Sequence, residues 1–75
     1  MVDWVVDLDE KGHVLLFGPF RIEGKGQSYL DKNCGQFAEL FSVDYKGRDT
    51  AKVKQELESD IKRIIARRNT QMEQK

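Results

Sequence analysis

Residues 49–69 read DTAKVKQELESDIKRIIARRN, and this stretch decides the fold because its apolar side chains recur at helical spacing. Residues three or four positions apart share one face of a helix, so such a stripe is typical of an amphipathic helix. The stripe consists of Val53, Leu57, Ile61, Ile64 and Ile65. Asp49 or Thr50 can cap the N-terminus. We therefore predict a helix over about residues 50–69 and a polar, frayed tail over 70–75.

Upstream of the helix, apolar side chains alternate with a two-residue period, which is typical of β-strands. Residues 2–8 show this alternation, and residues 9–12 read DEKG. Asp at the first position and Gly at the fourth suit a type I turn, so we predict an N-terminal hairpin. The return strand is predicted over about residues 13–23, with the Gly18-Pro19 pair as an interruption, because proline has no amide hydrogen for the ladder.

The middle of the chain carries weaker signals. Gly24 to Gln27 suggests a flexible loop, and Ser28 can cap a single helical turn that stops at Asn33 to Gly35. Residues 36–45 fit either a helix or a strand. Their aromatic and β-branched side chains favour a strand over about residues 37–45.

Together these elements predict one α+β domain, a small antiparallel sheet of about three strands packed against one long C-terminal helix. One helix covers one face of such a sheet. Val5, Leu15 and Phe17 fall on the opposite face, where exposed apolar side chains would mark an interface.

Composition limits the chemistry. The chain has one His and one Cys, so we expect no catalytic constellation, no metal site and no cofactor. The single thiol, Cys34, cannot form an internal disulfide and favours a reducing, cytoplasmic location. The longest apolar run, residues 14–17, is far shorter than the ~20 residues of a membrane span, so we expect no membrane association.

Charge is unevenly distributed, although the formal net charge is zero. Residues 1–49 carry nine acidic and six basic side chains, whereas residues 50–75 carry four acidic and seven basic ones. This uneven distribution, in a chain with 35% charged residues, indicates an electrostatically patterned surface more than a general affinity for nucleic acid.

The leading hypothesis is a non-catalytic module that binds another protein or protein assembly. Its candidate contact residues form an acidic hairpin with neighbouring aromatic side chains: Asp3, Asp7, Asp9, Glu10, Phe17 and Phe20. Asp3 and Asp7 share a strand face, so we expect their carboxylates to point outward together.

Two alternatives remain open. The first is a nucleic-acid-binding accessory protein, in which the basic helix end contacts phosphates with help from the sheet; its candidate residues are Arg21, Lys25, Arg63, Arg67 and Arg68. The second is a homodimeric structural or antitoxin-like protein.

The short length, the compact sheet and the single helix resemble the build of small phage-encoded inhibitors of host machinery, anti-CRISPR proteins among them. The resemblance is one of size and layout and covers no motif. It implies a viral protein that binds and blocks a larger host assembly.

Overall fold

The predicted hairpin and sheet are present in the computed structural model, which describes residues 1–73. The elements are β1 (Val2–Leu8), β2 (Val14–Phe20), α1 (Lys25–Asn33), β3 (Glu39–Val43), α2 (Thr50–Glu56) and α3 (Glu58–Glu73). The strands form one antiparallel sheet in the order β2-β1-β3, so β1 is central and the other two strands are edges. The α+β fold class is confirmed.

The turn between β1 and β2 is closed by Asp9. Its Oδ1 accepts hydrogen bonds from the backbone amides of Lys11 and His13, at 2.9 and 2.8 Å. The Gly12 amide donates to the Asp9 carbonyl at 3.0 Å, and Gly12 has a φ of 87°, in the left-handed region that favours glycine. A carboxylate acceptor and a glycine therefore set this turn, as the sequence predicts.

Strand β2 pairs regularly with β1 from Val14 to Phe17, and the register then shifts before Phe20 pairs with Asp3. The shift coincides with Gly18 and Pro19. The strand ends at Phe20 and does not reach residue 23, because Arg21 and Ile22 leave the ladder.

The main core lies between one sheet face and the C-terminal helices. It contains Val2, Trp4, Val6, Leu8, Val43, Val53, Leu57 and Ile64. Trp4 is 1% exposed, and Val53 and Ile64 are fully buried. These residues include three members of the helical stripe identified in the sequence, so the predicted packing of helix against sheet is present.

The C-terminal helix is divided at Leu57 into α2 and α3. Asp49 caps α2 by accepting a hydrogen bond from the Ala51 amide at 3.0 Å. The Leu57 amide still donates to the Val53 carbonyl, and the Ile61 amide donates to the Leu57 carbonyl. Because these bonds continue across the division, the apolar stripe stays on one side. Helix α3 extends to Glu73, four residues past the predicted end; the last two residues of the predicted frayed tail lie outside the described residues.

Helix α1 covers the opposite face of the sheet, which makes three layers. Residues 25–33 form a full helix where the sequence suggested one turn. Gly26 is buried, and a Cβ added there would lie 2.8 Å from Leu40 Cδ1. Val5, on this face, is fully buried. The expectation of an uncovered second face is therefore wrong, because a glycine lets α1 approach the sheet closely.

Among residues 1–73, no helix combines the length and the apolar character needed to cross a bilayer.

Candidate functional site

Neither strand carboxylate extends freely into solvent: Asp3 lies near Gly26 of α1, and Asp7 contacts the segment that follows α1. Asp7 is 8% exposed; its Oδ1 accepts from the Leu8 amide at 2.8 Å and its Oδ2 from the Gly35 amide at 3.3 Å. Asp3 is half-buried, and its Oδ1 accepts a hydrogen bond from the Ser42 hydroxyl at 2.6 Å. The shared face predicted for Asp3 and Asp7 is present, but their predicted outward orientation is not. These carboxylates join elements of the fold.

The other two carboxylates of the predicted set, Asp9 and Glu10, lie nearer to solvent in the turn between β1 and β2, which we call the acidic turn. Asp9, Glu10, Lys11 and His13 line an open depression of about 390 Å³. Asp9 Oδ2 lies 3.2 Å from His13 Nδ1. The pKa of Asp9 is lowered, chiefly because the carboxylate accepts the His13 backbone amide. The Glu10 side chain is exposed, so it is the carboxylate of the predicted set that is most available to a partner.

At the basic helix end, Arg63 and Arg67 both contact Glu39. Arg63 donates two hydrogen bonds to the Glu39 carboxylate, at 3.1 and 2.9 Å, and Arg67 Nη1 lies 3.3 Å from Glu39 Oε2. The hydrogen bonds from Arg63 lower the pKa of Glu39 and raise the pKa of Arg63 in return. Arg67 also donates to the Phe37 carbonyl at 3.4 Å and lies over the Phe37 ring. Both guanidinium groups therefore hold α3 against β3 and the segment before it.

Arg68, also in α3, contacts the turn between β1 and β2. Its Nη2 donates to the Glu10 carbonyl at 2.7 Å, and the guanidinium lies against Gly12. Because Gly12 has no side chain, Arg68 can reach the hairpin turn. The three helix-end arginines of the predicted phosphate-binding set, Arg63, Arg67 and Arg68, are thus engaged within the molecule.

The remaining members of that set, Arg21 and Lys25, lie at the other end of the sheet. Arg21 follows the last residue of β2 and donates a hydrogen bond to the Lys46 carbonyl. Lys25 is exposed at the start of α1. Arg68 contacts the turn that precedes β2, so the seven residues of that strand, roughly 20 Å, separate Arg68 from Arg21. The structure does not bring the five residues into one patch.

The aromatic candidates form a cluster with a residue of α1. The rings of Phe17 and Phe20 lie 5.0 and 5.5 Å from the Tyr29 ring, and all three side chains are half-buried. These distances are typical of favourable aromatic pairs. Phe17 and Phe20 therefore contribute to the packing of α1 on β2 while keeping part of their surface open to solvent.

Two residues past Phe20 and Asp3 lie Ile22 and Met1, the most exposed large apolar side chains among those whose burial the structure describes. Ile22 is 66% exposed and Met1 is 79% exposed. The register pairs Asp3 with Phe20, so Met1 and Ile22 each lie two residues further along at the same end of the sheet. We call the surface formed by Met1, Phe17, Phe20, Ile22 and Tyr29 the apolar end.

Ile22 was not among the residues singled out from the sequence. The alternation of Phe20 and Ile22 predicts a continuing strand, in which an isoleucine would be paired and partly covered. In the structure the strand stops first, which leaves Ile22 without a neighbouring strand. The signal that could have identified it is Pro19, because a strand seldom continues normally past a proline.

The apolar end and the acidic turn lie at opposite ends of β2, since the turn precedes Val14 and the strand ends at Phe20. The predicted protein-binding set therefore divides between two surfaces. Asp9 and Glu10 belong to the turn, and Phe17 and Phe20 belong to the apolar end.

Cys34 is half-buried after α1. Burial, together with the nearby charge of Asp7, raises the pKa of its thiol. Within the described part of the chain, no group of three or more His, Cys, Asp or Glu side chains is placed to hold a metal ion.

No protein-family model matches this chain, and neither a curated protein nor a solved structure matches it.

Proposed function

We propose that this chain is a non-catalytic protein-binding module and that the apolar end is its contact surface. The observation that carries the proposal is the 66% exposure of Ile22, two residues after Phe20 of the half-buried Phe17–Phe20–Tyr29 cluster. Contiguous exposed apolar surface on a small domain commonly marks an interface. Aromatic side chains are also enriched among the residues that contribute most to binding energy.

The short length and the compact α+β fold support a module that blocks or adapts a larger assembly in the cytoplasm, as small phage-encoded inhibitors do. A domain of this size uses its interior for stability and has little volume for a substrate cleft. The three layers enclose the core on both sheet faces. Recognition would then depend on the ends of the sheet.

The nucleic-acid alternative is the weaker proposal. Phosphate contact at the helix end would have to compete with the contacts of Arg63 and Arg67 to Glu39 and of Arg68 to Glu10. Binding to nucleic acid should weaken steeply with salt, because each phosphate contact releases counterions. A gel-shift assay at low salt that shows no complex would exclude this alternative.

The protein-binding proposal is tested by photo-crosslinking in the native host. p-Benzoylphenylalanine replaces Ile22 in one variant and Lys54, an exposed residue of α2, in a matched control. We expect the position-22 variant to give a discrete adduct with a host protein, and the position-54 variant to give none. Adducts of equal yield at both positions, or no adduct at position 22, would contradict the proposal.

A further inference from the structure

Ile22 lies in a turn that also carries two basic side chains. The Lys25 amide donates to the Ile22 carbonyl at 3.1 Å, so residues 22–25 form a turn that leads into α1. Arg21 and Lys25 are both exposed, one residue before Ile22 and three residues after it. Glu23 is the exposed acidic residue of the same turn. The turn that presents Ile22 therefore has more positive than negative charge.

The segment after β3 lies at the same end of the sheet. Strand β3 ends opposite Val2, the first residue of β1, so residues 44–48 continue beside the apolar end. Arg21 donates a hydrogen bond to the Lys46 carbonyl across the end of the sheet. This bond joins the segment after β3 to the turn that presents Ile22.

Together the two segments carry a surplus of basic side chains. Residues 21–25 and 44–48 contain four basic and two acidic residues, all of them exposed: Arg21, Lys25, Lys46 and Arg48 against Glu23 and Asp44. The next acidic residue, Asp49, uses its carboxylate to cap α2. Among residues 1–71, whose side chains the structure describes, none of the four basic groups forms an ion pair with a carboxylate. The hydrogen bond from Arg21 goes to a carbonyl, which leaves its charge uncompensated.

The arginines of α3 differ in this respect. Arg63 and Arg67 contact the Glu39 carboxylate, so their charge is balanced inside the fold. The basic groups beside the apolar end keep a positive potential that attracts negative charge from outside. Positive potential next to exposed apolar side chains is complementary to an acidic surface that contains an apolar pocket.

We propose that the partner of the apolar end is a protein with an acidic surface, in which carboxylates surround an apolar pocket that takes up Ile22. This inference rests on the proposed protein-binding function and adds the chemistry of the partner. Burial of apolar side chains provides the binding energy, whereas charged residues at the rim of an interface act mainly on the association rate. A protein suits this surface better than nucleic acid does, since its most exposed side chains, Met1 and Ile22, are aliphatic and provide no ring on which a base can stack.

The surplus of positive charge is tested without any partner by NMR with charged nitroxide probes. Relaxation of backbone amides by the anionic probe carboxy-PROXYL is compared with relaxation by the cationic probe aminomethyl-PROXYL. Because a positive potential concentrates anions, we expect the anionic probe to relax the amides of residues 22–25 and 46–48 at least about twofold more strongly. Equal relaxation by the two probes, or stronger relaxation by the cationic probe, would overturn the proposal.

The chemistry of the partner is tested with the host protein that crosslinks at position 22, once it is identified and purified. Lys25→Glu combined with Lys46→Glu reverses two charges beside the apolar end. Lys11→Glu combined with Lys54→Glu reverses two exposed charges elsewhere, so both double variants have the same net charge. We expect the first double variant to lower the association rate constant by about tenfold at low salt, and the second by less than about threefold.

Equal association rate constants for the two double variants would overturn the acidic-partner inference, while an adduct at position 22 would leave the protein-binding proposal standing. Absence of an adduct at position 22 would overturn both. An oligonucleotide complex in a low-salt gel shift that Lys25→Glu with Lys46→Glu abolishes would assign these basic residues to nucleic acid, and would overturn the inference as well.

Discussion

Arg63 donates two hydrogen bonds to Glu39, at 2.9 and 3.1 Å, and thereby joins α3 to the first residue of β3. Arg67 approaches the same carboxylate at 3.3 Å. A two-point contact between a guanidinium and a carboxylate is the strongest common form of ion pair. A cluster of arginines that resembles a phosphate-binding patch in the sequence therefore stabilises the packing of α3 against the sheet.

We predict that Glu39→Gln lowers the free energy of unfolding by about 1 kcal/mol near neutral pH, at the upper end of the range for partly exposed ion pairs. The measurement is urea unfolding followed by fluorescence of Trp4, the single tryptophan, which is 1% exposed. The matched control is Glu58→Gln, which removes an exposed pair with Lys62 and should cost a few tenths of a kcal/mol. Equal costs for the two variants would contradict the structural role of Glu39.

The effect of Glu39→Gln should also depend on pH. Folding lowers the pKa of Glu39, so its stabilising contribution is present above the pKa of the unfolded chain and is lost as pH falls through the folded pKa. The difference in unfolding free energy between wild type and Glu39→Gln should therefore shrink toward zero in acid. A difference that stays constant as the pH falls would show that the carboxylate charge is not responsible.

Asp7→Ala should destabilise the chain by about 2–3 kcal/mol, since it leaves the buried amide of Leu8 and the amide of Gly35 without their acceptor. Asp44→Ala, at an exposed aspartate, is the control and should change stability by less than about 0.5 kcal/mol. Chemical denaturation of both variants is the measurement. If Asp7→Ala proves as mild as Asp44→Ala, Asp7 does not connect β1 to the segment after α1.

Gly26→Leu tests whether α1 packs closely on the sheet. A side chain at this position would overlap Leu40 and push α1 away from the sheet, at a cost of about 1–3 kcal/mol. Ser28→Leu places the same side chain on the exposed side of α1 and should be nearly neutral. Thermal unfolding compares the two. A neutral Gly26→Leu would mean that α1 does not pack closely on the sheet.

Cys34 should react slowly with alkylating reagents, because the thiolate is the reactive form and burial raises the pKa of this thiol. The pH profile of iodoacetamide alkylation should have its midpoint above that of Lys54→Cys in a Cys34→Ser background, an exposed thiol. Asp7→Asn should move the Cys34 midpoint downward, since it removes the nearby negative charge. A Cys34 midpoint at or below the exposed control would contradict this account.

The sequence predicts the hairpin and the main core because each depends on a local pattern. The turn needs only Asp9 and Gly12, and the packing of the C-terminal helices needs only the stripe that includes Val53 and Ile64. Both signals lie within short windows of the chain, where spacing determines which side chains share a face.

Helix α1 could not be predicted in the same way. Residues 25–33 read KGQSYLDKN, which is mostly polar, and no side chain caps the N-terminus of the helix. Its position depends on the close approach of Gly26 to Leu40, a contact between distant parts of the chain. The covered second face follows from this contact, and Asp7 bonds to Gly35 in the segment after the helix.

Of the candidate surface, Phe17 and Phe20 were predicted from the sequence, but Met1 and Ile22 were not. The sequence shows which charged residues are close along the chain, but the pairing of Arg63 with Glu39, 24 positions away, depends on how α3 crosses β3. The apolar end likewise depends on where β2 stops, and Ile22 becomes exposed because the strand ends two residues earlier.

The most direct test of the protein-binding account is the affinity of the crosslinked host protein for three forms of this chain, measured by calorimetry: wild type, Ile22→Asp and Glu10→Lys. Loss of a central apolar contact typically costs more than 1 kcal/mol, so we predict that Ile22→Asp weakens binding by at least about tenfold. We predict that Glu10→Lys, at the opposite end of β2, changes the affinity by less than about threefold, equivalent to roughly 0.6 kcal/mol. Equal affinities for wild type and Ile22→Asp would contradict the account.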